Sequence, residues 1–128
     1  MTATTFYPVA GCAGIALSEA GDYDKRWFVV DEDARWLSPD VCPALGQVTT
    51  EMRMGYLVLR APGMLRMDIP LEVIEDDDSV WRQVSIGTQN VDVVDEGEVA
   101  AVWFGHVVGS PCRLVKLRPE ATPVQWPV

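Results

Sequence analysis

The stretch Asp24-Lys25-Arg26-Trp27-Phe28-Val29-Val30-Asp31 opens with charge, turns wholly apolar over Trp27 to Val30 and closes on an acid. Aromatic and β-branched residues packed into so short a block favour a buried strand, because such side chains fit a pleated surface. Asp31-Glu32-Asp33-Ala34 follows, and Arg35 to Leu37 resumes the apolar character. That spacing predicts a hairpin with a polar four-residue loop. Pro39 and Pro43 end the unit, since neither can donate to a ladder.

Upstream, Thr4 to Val9 is rich in β-branched and aromatic residues, and a kink from Gly11 to Gly14 leads to Ile15 to Leu17. Two short strands around a tight corner are expected there. Downstream, Gln47 to Met54 alternates Val48, Thr50, Met52 and Met54 on one face, and after Gly55 the run Tyr56 to Arg60 completes a second hairpin. Ala61-Pro62-Gly63 is a turn. Met67 to Val73 then carries Met67, Ile69, Leu71 and Val73 on one face, with Pro70 marking an edge or a bulge. Val80 to Ile86 and Val91 to Val94 are strands around the Gly87 corner, and Cys112 to Leu117 is the last.

One helix is expected. Asp95 as N-cap with Glu98 three residues on has the spacing of a capping box. Val99, Val102, Trp103 and Val107 recur at helical spacing as its buried stripe. Gly105 costs about 1 kcal/mol relative to Ala inside it, Gly109 stops it, and Pro111 bars continuation. The fold class is mainly β: a small β-barrel of about eight strands with one helix, in the C-terminal half, packed against it. Residues 1–118 form the domain and 119–128 a proline-containing tail.

A chain of 128 residues suits one core. Ten Lys and Arg against nineteen Asp and Glu leave a formal charge of −9, which argues against nucleic acid and anionic membrane surfaces as partners. Lys25, Arg26, Arg60 and Arg66 are the cations that a local anion pocket would use. Cys12, Cys42 and Cys112 are odd in number and widely spaced, and the N-terminus lacks a signal-peptide pattern, which points to the reducing cytoplasm. No apolar run approaches the roughly 20 residues of a membrane helix.

Catalytic and metal motifs are missing. His106 is alone, and the cysteines show no zinc spacing. There is no GxSxG elbow, no GxxxxGK loop and no GxGxxG after a strand. Glu75 to Asp78 reads as a solvated turn, because an EF-hand would need alternating ligands and a mid-loop Gly. Cys12, between Gly11 and Ala13, reads either as a small buried hydrophobe or as a corner thiol of lowered pKa. Trp27, Trp36, Trp81, Trp103 and Trp126 are core or rim anchors, or interface residues where exposed. No enzyme activity and no metal site are expected of these residues alone.

In order, YPVAGCAGIAL, DKRWFVVDEDARWLS, the Pro43 to Val48 segment, LVLRAPGM, DIPLEV, SVW and DEGEVAAVWFGHVVGSPCRLVKL resemble the N-terminal β-barrel domain of MOSC proteins. That family includes molybdenum cofactor sulfurase C-terminal regions and amidoxime-reducing molybdoenzymes. The resemblance spans nearly the whole chain. It implies a barrel that in longer relatives precedes a MOSC domain, whose cysteine holds the molybdenum and which helps to enclose the pterin. The chain stops at Val128, so the expectation is a domain without the cofactor-bearing half. By resemblance Arg26, Cys12 and Gly11 would lie on the cofactor side, although Ala10 stands where relatives usually carry Lys. The leading expectation is a non-catalytic module that binds a partner protein or completes a site with a separate MOSC polypeptide. The alternative is a carrier of an anionic ligand such as molybdopterin, held by Arg26 and backbone donors from Gly11 to Gly14. Arg26 also reads simply as an ion-pair partner of Asp24 or Asp31.

Overall fold

The computed structural model describes residues 6–12, 14, 25–38, 41–71 and 81–117. The expected strand at 15–17, the acidic run 75–78 and the tail 119–128 lie outside these residues, as do Thr4, Thr5 and Val73. The described elements are β1 (Trp27–Asp31), β2 (Thr49–Arg53), β3 (Tyr56–Arg60), β4 (Met67–Pro70), β5 (Trp81–Ile86), β6 (Gln89–Asp95), α1 (Glu98–Val108) and β7 (Cys112–Leu117). A 3-10 helix, Pro43–Gln47, follows the expected Pro stop. The strands form two antiparallel sheets, β1-β7-β6-β5 and β2-β3-β4.

Seven strands are thus described where about eight were expected. Arg35 to Leu37 supplies bridges in place of a strand: Val30 pairs with Trp36, and Arg35 with Ser85. The cause is the loop before it, where the N–H groups of Asp33 and Arg35 both donate to Asp31 Oδ1 at 2.9 and 3.0 Å and Ala34 takes φ 61°. The chain leaves that turn across the sheet, touching both edge strands, β1 and β5. Together with the four-stranded sheet this makes a half-barrel. Val9 likewise makes only an isolated parallel bridge, to Trp27.

The β2–β3 hairpin turns on Met54 and Gly55, whose φ values of 50° and 84° are both positive, as a two-residue type I′ turn requires. Thr50 is buried as its alternation predicts, but Met54, expected on the same face, is 97% exposed because it occupies the turn. Pro70 ends β4, an edge strand, as expected of a residue without an N–H.

The four-stranded sheet buries both faces. On one, Trp27, Val29 and Leu114 meet Leu57, Leu59 and Ile69 of the second sheet, Leu45 of the 3-10 helix and Phe104 of α1. On the other, Phe28, Val30, Ile86, Val93 and Val115 pack together. Runs such as WFVV in β1 are continuous rather than alternating for this reason.

The helix corrects two expectations. Asp95 is the last residue of β6, paired with Val115, and the N-cap is Gly97 at φ 103°. No capping box forms: Asp95 Oδ1 accepts the Gly97 N–H at 2.8 Å, and Glu98 reaches Arg113. The buried face is Ala100, Ala101, Trp103 and Phe104, while Val99 and Val102 are 79% and 59% exposed. Trp103 is buried as expected and Val107 packs partly buried against the core, while the helix is turned to take in Phe104, whose ring buries far more apolar area than a valine. Trp103 Nε1 also donates to the Leu65 carbonyl at 2.7 Å, which leaves no polar loss on burial. Gly109 ends the helix in the left-handed region, as expected.

Trp103→Ala should therefore cost about 3–5 kcal/mol, whereas Val99→Ala and Val102→Ala should each stay within about 0.5 kcal/mol. Urea unfolding of the three variants checks this; equal losses at all three sites would mean that the helix is rotated.

Candidate functional site

Two places hold residues to which the sequence points and a third emerges only from the fold, while Arg60 and Arg66 lie apart from them, paired with Glu51 and Asp68. The first is the corner after Val9. Trp27 N donates to the Pro8 carbonyl at 2.9 Å, Ala10 N to the Trp27 carbonyl at 2.8 Å, and Lys25 N to the Tyr7 carbonyl at 2.7 Å. These bonds lay the segment Tyr7 to Gly11 alongside Lys25 to Trp27, so the backbones of Gly11 and Arg26 share one corner. Gly11 takes φ 95°, a conformation L side chains rarely adopt, which explains a glycine there. Cys12 N returns to the Val9 carbonyl at 3.1 Å and tightens the turn. Arg26 is half-buried, and its carbonyl accepts the Leu117 N–H at 2.8 Å.

The second place is the core beneath that corner. Cys12, Cys42 and Cys112 are all free, buried and members of one cluster. Burial, with a smaller contribution from Cys42, pushes the Cys12 thiol up to about 12 and the Cys112 thiol up to about 11. A thiolate is the nucleophile and the soft-metal ligand, so at neutral pH these groups behave as small apolar side chains. Among the described residues no three His, Cys, Asp or Glu are grouped so as to hold a metal.

The third place is the start of α1, where Asp95 is a buried carboxylate with 5% of its side chain exposed. Arg113 Nε donates to Asp95 Oδ2, and Arg113 Nη2 reaches Asp95 Oδ1 at 3.3 Å and Glu98 Oε1 at 2.8 Å. Hydrogen bonding to Asp95 first and Glu98 second holds the guanidinium above its ordinary pKa. Next to it, Trp27 Nε1 donates to Glu96 Oε2 at 3.0 Å, and Lys116 Nζ sits 5.0 Å from the Trp27 ring centre. The cluster ties β6, β7, β1 and α1 together. No residue pattern announced it, because the Asp95 and Arg113 partnership depends on strand register.

Two recesses flank the exposed side of α1. One, of about 580 Å³, runs between the helix and Gly109 to Arg113, with Ala101, Val102, Gly105 and His106 on its wall. The other, of about 210 Å³, lies between Val99, Ala100 and the edge strand β4. His106 is exposed. No described helix is long and apolar enough to cross a membrane.

The family profile described as the MOSC N-terminal beta barrel domain matches residues 2–111. The chain is 31% identical over 131 residues to molybdenum cofactor sulfurase of Danio rerio, covering 94% of this chain and 16% of that protein. The human molybdenum cofactor sulfurase is 30% identical over 120 residues, covering 86% and 13%. Mitochondrial amidoxime reducing component 2 of Rattus norvegicus is 31% identical over 77 residues, covering 52% and 23%. The chain therefore spans about a sixth of the first of these curated relatives. A solution structure of a Bordetella bronchiseptica protein superposes with a TM-score of 0.86 at 54% identity, covering 99% of this chain and 98% of that one.

Two outcomes follow from this chemistry. Arg113→Ala, which strands the Asp95 carboxylate, should cost about 3 kcal/mol, and Asp95→Asn combined with it should recover part of the loss; thermal unfolding of the single and double variants reads both. The thiols set an alkaline limit: raised in the folded state, they cost nothing below pH about 9, and stability falls as pH climbs from there towards 11–12, because only the unfolded thiols ionise. Cys12→Ala should flatten that decline relative to the parent protein, and identical alkaline limbs would contradict the burial of Cys12.

Proposed function

The chain belongs to the MOSC N-terminal beta barrel domain family, and from that premise we propose that it acts as a non-catalytic module, binding a partner protein and completing a site with a MOSC domain carried on a separate polypeptide. The observation that carries this reading is where its reactive side chains go. The Cys12 and Cys112 thiols lie in the core and stay protonated, and Arg113 is turned onto Asp95 and Glu98. Groups that could attack or ligate are spent on holding the fold. Three free thiols also suit a reducing compartment, and the cytoplasm is the setting proposed.

The alternative, an accessory module holding molybdopterin or a similar anionic ligand by itself, draws less support. The Ala10 and Cys12 N–H groups are donated within the corner, and Ala10 is a buried aliphatic residue. A phosphate would be left with Arg26 and the Gly11 turn. These residues do not amount to a complete phosphate cradle, which ordinarily combines several N–H donors with a cation. A partner could supply the rest, which favours the two-part reading.

Mixing the purified chain with each purified MOSC-domain protein of its source organism, followed by size-exclusion chromatography with light scattering, tests the proposal. The expected result is a stoichiometric complex with at least one of them. Independent elution from all of them would overturn it.

A further inference from the structure

Three free thiols converge in one core, and the strand β1 gives them an order. At its first residue Trp27 bridges Val9, and Cys12 hangs from Val9 through the 3.1 Å bond of its N–H to that carbonyl. At its middle the Val29 carbonyl accepts the Leu37 N–H at 2.9 Å, and Ser38, the next residue, accepts the Cys42 N–H at 2.9 Å. At its last residue Asp31 pairs with Cys112. Cys42 therefore sits between the other two. A two-residue step along a strand is about 7 Å, close to the upper limit of Cα separation that a disulfide spans. Cys12 and Cys112 lie about two such steps apart, too far to join. The electrostatics agree: Cys42 acts on the thiols of both Cys12 and Cys112, and these do not act on one another.

Access separates the two pairs that Cys42 could form. Cys112 belongs to the wall of the recess of about 580 Å³ between α1 and the segment Gly109 to Arg113. Neither Cys12 nor Cys42 lines either described recess. A small reagent that enters the larger recess meets Cys112 first, with Cys42 behind it in the core. Cys112 also opens β7, shortly after Gly109 stops α1, and Cys42 immediately precedes the 3-10 helix. A bond between them fastens these two segments to one another.

We infer that Cys112 is an exchange site for small-molecule disulfides and that Cys42 resolves the adduct, giving a Cys42 to Cys112 disulfide that locks the fold under oxidation. The Cys112 sulfur, its proton lost to water, attacks one sulfur of the small disulfide; that S–S bond breaks and one thiolate leaves. The Cys42 sulfur, likewise deprotonated, then attacks the Cys112 sulfur, the mixed disulfide breaks and the second thiolate leaves. The two protons end on the released thiols, so two protein thiols are oxidised and one small disulfide is reduced. Because burial holds the resting Cys112 thiol protonated, the first step is slow, on a scale of hours. In reducing surroundings the thiols remain core side chains. The inference concerns the chain by itself and is independent of the two-part reading.

Oxidised glutathione is the probe. The folded parent chain is exposed to it overnight, quenched in acid, weighed intact by mass spectrometry and mapped without reduction. The expected result is a loss of two hydrogens per chain, a Cys42 to Cys112 linkage, a free Cys12, and a melting temperature several degrees above that of the reduced protein, reversed by dithiothreitol. Cys42→Ala should instead accumulate glutathione on Cys112, and Cys112→Ala should keep both remaining thiols free. A Cys12 to Cys42 linkage, a lasting glutathione adduct on Cys112 of the parent, or thiols that stay free under conditions that oxidise the urea-unfolded chain would each overturn the inference. The expected linkage with an unchanged melting temperature would overturn the lock. Because the map is read on the parent, it stands even if a variant does not fold.

Discussion

The buried carboxylate of Asp95 decides where β6 ends and how the helix begins. It is the last residue of the ladder, yet its side chain accepts the Gly97 N–H and the Arg113 guanidinium. A charge with 5% of its side chain exposed must be met by donors or the fold pays several kcal/mol. Meeting it pulls the α1 start onto β7, because Arg113 is the second residue of that strand. The glycine at 97 allows the chain to turn there at φ 103°. From that anchor α1 lies across the sheet with Trp103 and Phe104 in the core, ring centres 5.0 Å apart and nearly edge-on. The core then joins both sheets, and the valines face outward.

Much of this arrangement could be read from residues. The apolar block Trp27 to Val30, the Tyr56 to Arg60 strand, the edge position of Pro70 and the stop at Gly109 follow from side-chain shape and backbone restriction, which act locally. What could not be read depends on partners far apart in the chain. Val99, Val102, Trp103 and Val107 share a helical spacing, and the bulk of Phe104 turns the helix so that Val99 and Val102 leave the core while Trp103 stays in it. Arg35 to Leu37 looks like a strand until the Asp31 carboxylate captures two N–H groups and redirects it. Met54 belongs to an alternating face only if the turn begins later than it does.

The candidate site divides in the same way. The backbone bonds between Ala10 and Trp27 set Gly11 near Arg26, but the sequence could not show that the N–H groups beside Gly11 are already used. Cys12, Cys42 and Cys112 are separated by wide intervals and converge only through tertiary packing. Their convergence makes Cys12, the one thiol read as a possible nucleophile, part of the core.

The packing of the core depends on the rotational setting of α1. Solvent paramagnetic relaxation on the isotopically labelled protein reads that setting directly. The account requires strong broadening of the Val99 and Val102 methyl signals and near-complete protection of the Phe104 ring. Protected valine methyls beside a broadened Phe104 ring would contradict it.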